Sequence, residues 1–116
     1  MLIVLKGNPK STQHCYGQRG KIRYMKKDAR MLKEDYAKQA VEQWGDDPID
    51  CPLKLKIDLY FGDKRIRDWD NWHKLSMDAL TGIVWADDSQ IQKATVEKFY
   101  SKENPRIEIK INLIKN

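Results

Sequence analysis

The chain has 116 residues, 41% of them hydrophobic, a length that suits one domain with a modest core. Its 22 Lys and Arg against 17 Asp and Glu give a formal charge of +5, which suits a polyanionic partner. Two cysteines make no disulfide framework and two histidines leave little material for a zinc centre or a Ser-His-Asp machine; there is no CxxC, HExxH or glycine-rich nucleotide motif.

In chain order, the apolar start MLIVL reads as a short buried strand over 2–5, and Lys6 stops it short of a signal peptide. No run of about 20 apolar residues follows, so the expectation is a cytoplasmic protein with no membrane segment. Residues 7–21, GNPKSTQHCYGQRGK, are rich in Gly, Ser, Asn and Pro and read as a loop. The stretch RGKIRYMKK carries Arg19, Lys21, Arg23, Lys26 and Lys27 without an acid. With Lys10 as a neighbour, these are the candidates for DNA phosphate contacts, and Tyr16 and Tyr24 among them suit stacking on bases. The plainer alternative is a solvated basic loop and helix start.

From about Lys27 to Trp44 the pattern is helical: Ala29, Leu32, Tyr36, Ala40 and Trp44 recur at three or four residues, and Gly45 and Pro48 end the run. Leu53, Leu55, Ile57, Leu59 and Phe61 alternate with polar residues and predict a strand. Residues 91–100 are a weaker strand, and Ile107, Ile109, Ile111 and Leu113 repeat the period of two. No linker or repeat divides the chain, so residues 1–116 read as one small α+β domain with two main helices packed on one sheet.

Between the first long strand and the weaker one lies an acidic segment with Asp68, Asp70, Asp78, Asp87 and Asp88. Asp70 suits the N-cap of a helix running to about Leu80, which puts Trp72, Leu75 and Ala79 on the core side. Asp70, Lys74 and Asp78 then share the opposite side. Gly82 ends the helix, and the apolar IVW delivers Asp87 and Asp88 into a turn. Each aspartate alone is explained as a cap, a turn residue or the partner of Lys74 at i,i+4. Together they strain that explanation, because two carboxylates about 4 Å apart repel by roughly 4 kcal/mol at an effective dielectric near 20. A convergent cluster needs raised pKa values or a cation, and an all-oxygen ligand set points to Mg²⁺ or Mn²⁺.

Arg67-Asp68-Trp69-Asp70-Asn71, Lys74, Asp78-Ala79-Leu80 and Asp87-Asp88-Ser89-Gln90 resemble the signature of the RusA family of Holliday junction resolvases. The opening Gly7-Asn8-Pro9-Lys10-Ser11-Thr12 resembles the family's first loop more loosely. The resemblance implies a RusA-like fold with a mixed β-sheet. It implies a homodimer that makes paired cuts in a four-way DNA junction, leaving 5′-phosphate and 3′-hydroxyl ends. It also implies metal ligands at Asp68, Asp70 and one of the 87–88 pair, taken as Asp88 with Asp87 still open, and an essential lysine at Lys74. Arg67 would hold a neighbouring phosphate. Two other readings keep the same residues: a branched-DNA or flap nuclease of broader preference, and a non-catalytic DNA-binding module whose aspartates are caps and turns.

Overall fold

The computed structural model describes residues 1–11, 16–67 and 72–114, with Tyr16 described as backbone alone. In chain order the elements are β1 (Leu2–Lys6), β2 (Tyr16–Arg19), β3 (Ile22–Met25), α1 (Lys27–Trp44), β4 (Leu53–Phe61), α2 (Lys74–Leu80), β5 (Ile91–Tyr100) and β6 (Arg106–Leu113). Four of the strands form a mixed sheet in the order β1-β6-β4-β5. β6 runs antiparallel to both of its neighbours, and β4 runs parallel to β5 across the connection that carries α2.

Alternation places the core. Leu53, Leu55, Ile57, Leu59 and Phe61 of β4 are buried, beside Ile107, Ile109 and Ile111 of β6 and Ile3 and Leu5 of β1. The register sets Ile57 against Ile109 and Ile109 against Ile3, so apolar rows run straight across three strands. Each such side chain contributes about 1.5–3 kcal/mol of burial. α1 closes this face with Ala29, Tyr36 and Ala40, and α2 adds Leu75, Ala79 and Leu80. Gly45 caps α1 in the left-handed region at φ 61°, where glycine carries no side-chain penalty. β1 alternates rather than lying wholly buried, since Leu2 is exposed.

Two stretches differ from their sequence reading. Residues 16–21 of the expected 7–21 loop join residues 22–25 in the hairpin β2–β3, closed by the two-residue turn Gly20-Lys21 with Gly20 at φ 62°. Tyr24 lies over Gly17, where an added Cβ would stand 2.6 Å from the ring. The expected helix start at Asp70 is also displaced: α2 begins at Lys74 with His73 at the cap position. There the Ser76 hydroxyl donates to the His73 carbonyl at 2.5 Å.

The outer margin of β1 is filled by side chains of α1. Gln43 accepts from the Val4 N–H at 2.8 Å and donates to the Val4 carbonyl at 2.7 Å. Gln39 does the same for Lys6, at 2.8 and 3.4 Å. Two amides one helical turn apart thus take the place of a neighbouring strand.

Candidate active site

α2 is short and its outer side is polar: Lys74 and Asp78 are exposed while Leu75, Ser76, Ala79 and Leu80 are buried. After it the chain turns sharply. The Thr81 N–H and hydroxyl both donate to the Met77 carbonyl, at 3.1 and 2.9 Å, and Thr81 accepts from the buried indole N–H of Trp85 at 3.0 Å. Residues 84–86 then pair with Ile49: its N–H donates to Val84 at 2.8 Å, and the Ala86 N–H donates to the Ile49 carbonyl at 3.0 Å. A rigid apolar knot therefore presents the next two residues, Asp87 and Asp88.

Those two do different things. Asp87 caps a 3-10 turn over Asp88–Gln90; its carboxylate accepts from the Ser89 N–H at 3.2 Å and from the Ser89 hydroxyl. The bond from the Ser89 side chain holds the Asp87 carboxyl below the usual carboxylate range. Gln90 completes a capping box by accepting from the Asp87 N–H at 2.8 Å. Its amide also donates to the Ile49 and Cys51 carbonyls at 2.8 and 2.9 Å, which ties the turn to the entry of β4. Asp88 is left facing outward.

Asp88 opens onto a cleft of about 420 Å³ that Lys74, Asp78 and His73 also line. Leu55, Ile57 and Met77 contribute apolar lining, and Ile91 and Ala94 of β5 line it too. Among the described residues, Lys74, Asp78 and Asp88 form no ion pair, so the expected Lys74–Asp78 bridge is not made. Sequence positions 74, 78 and 88 thus line one cleft, and among the described residues their charges have no ion-pair partner.

Asp68 and Asp70 lie outside the described residues, as do Trp69 and Asn71. Among the described residues no three His, Cys, Asp or Glu side chains gather as a metal cage. The flanks of that segment are described. Arg67 lies over the Phe61 ring at 4.2 Å and the Trp72 ring at 5.5 Å, and Trp72 meets Phe61 edge-on at 5.3 Å. Asp63 pairs with the Arg67 guanidinium at 2.8 Å. Lys98 of β5 donates to the Arg67 carbonyl. The Asp63 carboxyl is held low by the Arg65 N–H and by Arg67. Arg67, expected to hold a neighbouring phosphate, is here a mostly buried clasp between residues 61, 63 and 72. Spacing alone gave no sign of this, because the clasp depends on how the chain doubles back.

The basic candidates divide. Lys10 is spent on Asp28 in the first turn of α1, at 2.5 Å, and this bond lowers the Asp28 carboxyl. It acts as a staple between the first loop and the helix. Asn8 in the same loop accepts from the Gly62 N–H at 2.9 Å. Arg19, Lys21 and Arg23 are exposed on the hairpin, and Lys26 and Lys27 are exposed at the start of α1. Ile22 and Tyr24 stand among them, 67% and 47% exposed, so the hairpin offers apolar and cationic groups together. The side chain of Tyr16 lies outside the described residues.

Comparison with known proteins follows the same line. The family model described as Endodeoxyribonuclease RusA matches residues 6–112. The crossover junction endodeoxyribonuclease rusA of Enterobacteria phage 82 is 28% identical over 98% of this chain and 95% of its own length. The protein of that name from Escherichia coli K12 is 27% identical over the same shares. An uncharacterised Bacillus subtilis protein, YqaN, is 48% identical over 44 residues, 38% of this chain and 30% of its own.

Proposed function

The chain belongs to the RusA family of endodeoxyribonucleases, and on that premise we propose that it resolves Holliday junctions by paired phosphodiester cuts. It acts in the cytoplasm, in DNA recombination and repair, as a Mg²⁺-dependent homodimer. The observation that carries the reading is the cleft onto which Lys74, Asp78 and Asp88 open from two separate elements while Asp87 is used up in its turn.

The available donors suit a hard cation. Asp88 offers a carboxylate at the cleft with no ion-pair partner among the described residues, and the remaining ligands assigned to the ion, Asp68 and Asp70, are carboxylates too. With Asp68, Asp70 and Asp88 holding it, Mg²⁺ (or Mn²⁺ in its place) would supply Lewis-acid stabilisation of charge on the scissile phosphate. Lys74 presents its ammonium at the cleft rim, where it stabilises negative charge as it builds on the phosphoryl oxygens. The clasp of Arg67 on Phe61 and Trp72 fixes where the chain enters and leaves residues 68–71. The turn locked by Gln90 fixes Asp88. Arg19, Lys21, Arg23, Lys26 and Lys27 neutralise phosphates of the junction arms.

The test is a synthetic four-way junction incubated with and without Mg²⁺. Paired nicks that need the metal are expected, and Lys74→Ala should lose most of the rate with little change in affinity. A protein that binds the junction and never nicks it would leave only the DNA-binding reading. Equal cutting of flaps and four-way junctions would leave the broader nuclease.

A further inference from the structure

The sheet ends differently at its two margins. The β1 margin is filled by Gln39 and Gln43. At the β5 margin, among the described residues, no strand or side chain takes that place. The outward groups of β5 follow from its register. The Ser101 N–H donates to the Phe61 carbonyl at 2.8 Å, and Phe61 stands opposite Tyr100. In a parallel ladder of that phase, the odd-numbered residues of β5 turn their backbone groups toward β4. Beyond the register shift beside Leu53, Ala94, Val96, Lys98 and Tyr100 turn theirs away from it. A long, exposed strand with such a row of open groups is a template for another strand.

We infer that β5 is where a second copy of this chain docks, antiparallel, about a two-fold axis at Thr95. The inference rests on the homodimer proposed above and names its surface. Charge selects the register. With the axis at Thr95, Lys93 faces Glu97 of the partner subunit, Glu97 faces Lys93 of the partner subunit, and Ala94 faces Val96 of the partner subunit. Opposite charges directly across a strand pair are favourable. Moving the axis to Glu97 sets that carboxylate against its own copy, and moving it to Val96 sets Lys93 against Phe99. Glu97 also lies 3.5 Å from Lys56 of its own chain. In the dimer each Glu97 would sit between two ammonium groups. About four backbone hydrogen bonds would form across the axis, between Ala94 and Val96 of each copy.

The docking bears on the cleft directly. Ala94 lines it, so Val96 of the partner subunit comes to stand beside its wall. A two-fold axis normal to the sheet keeps both helix layers on the same side. The two clefts then open on one side of the dimer, flanking the axis, which is the arrangement two coordinated cuts require.

Three variants of the full chain test this by sedimentation and by oxidative crosslinking. Val96→Pro removes one outward N–H and no bond to β4, so the fold should persist by circular dichroism. It should weaken dimerisation at least tenfold, as should Lys93→Glu, whose new charge faces Glu97. Thr95→Cys places two thiols at the axis and should form an interchain disulfide under mild oxidation that the parent chain, with its native cysteines, does not. A dimer indifferent to both Val96→Pro and Lys93→Glu overturns this surface and leaves the homodimer standing. A dimer in which Thr95→Cys never crosslinks overturns the register. A parent chain that stays monomeric at every concentration overturns the homodimer itself.

Discussion

Asp87 and Asp88 are neighbours with opposite duties. Asp87 is engaged by Ser89 and Gln90, and Asp88 faces the cleft. Their substitutions should therefore separate stability from activity. Asp88→Asn should leave the melting temperature unchanged and slow junction cleavage roughly a hundredfold or more. Asp87→Ala should lower the melting temperature while its effect on cleavage stays smaller. The pH dependence of that loss has a defined sign. The folded Asp87 carboxyl is depressed by its bonds from Ser89. Its contribution is thus complete above the unfolded carboxylate value near 4 and is lost as pH falls through the folded one. Parent and Asp87→Ala melting curves should converge on acidification. If the gap persists when every carboxyl is protonated, the cap is not what the substitution removed. Residues 87–89 read only as a polar turn; the Gln three residues after Asp87 is the signal that would have marked the capping box. The choice of Asp88 over Asp87 came instead from a resemblance. The capture of Arg67 by Phe61, Asp63 and Trp72 was not legible, because it joins residues with no periodic relation.

Among the elements, the long ones with a regular buried face were the most readable, while β5, exposed along most of its length, gave a weaker strand signal. α1 was found from Lys27 to Trp44 because its apolar stripe is regular and Gly45 ends it. β4 and β6 were found because every second residue goes inward. The hairpin was missed because its strands are only four residues long and the alternating Ile22 and Tyr24 of β3 stay exposed rather than entering the core. The start of α2 was misplaced because an aspartate is a strong cap by type, whereas here Trp72 is drawn onto Phe61 and helical geometry begins only at Lys74. The glutamine pair on α1 makes its own prediction. Replacing Gln39 and Gln43 together with Ala should destabilise the fold by about 1–2 kcal/mol, since Val4 and Lys6 lose their bonds. It should also raise light scattering on concentration. A double variant as stable and as well dispersed as the parent would remove the amides from both roles.

At the scale of the molecule, composition only suggested a polyanionic partner and alternation gave the α+β sheet; the order β1-β6-β4-β5 and its parallel pair came only with the structure. Arg19, Lys21, Arg23, Lys26 and Lys27 are exposed on the hairpin and the start of α1, while Asp78 and Asp88 line the cleft. Binding and cutting should separate accordingly. Arg19→Ala with Lys21→Ala should flatten the log–log salt dependence of junction affinity by roughly one to two, near 0.9 per lost phosphate contact. Chelating Mg²⁺ should stop cutting and leave that slope unchanged. An unaltered slope in the double variant would move the phosphate contacts elsewhere. The sealed β1 margin carries one more consequence, for stoichiometry. A sheet able to accept neighbours on both sides would keep adding copies and grow into a filament. With glutamine amides closing one side, the β5 margin is the one left open among the described residues, so copies that join as proposed through their sheets would stop at two molecules however concentrated the solution becomes.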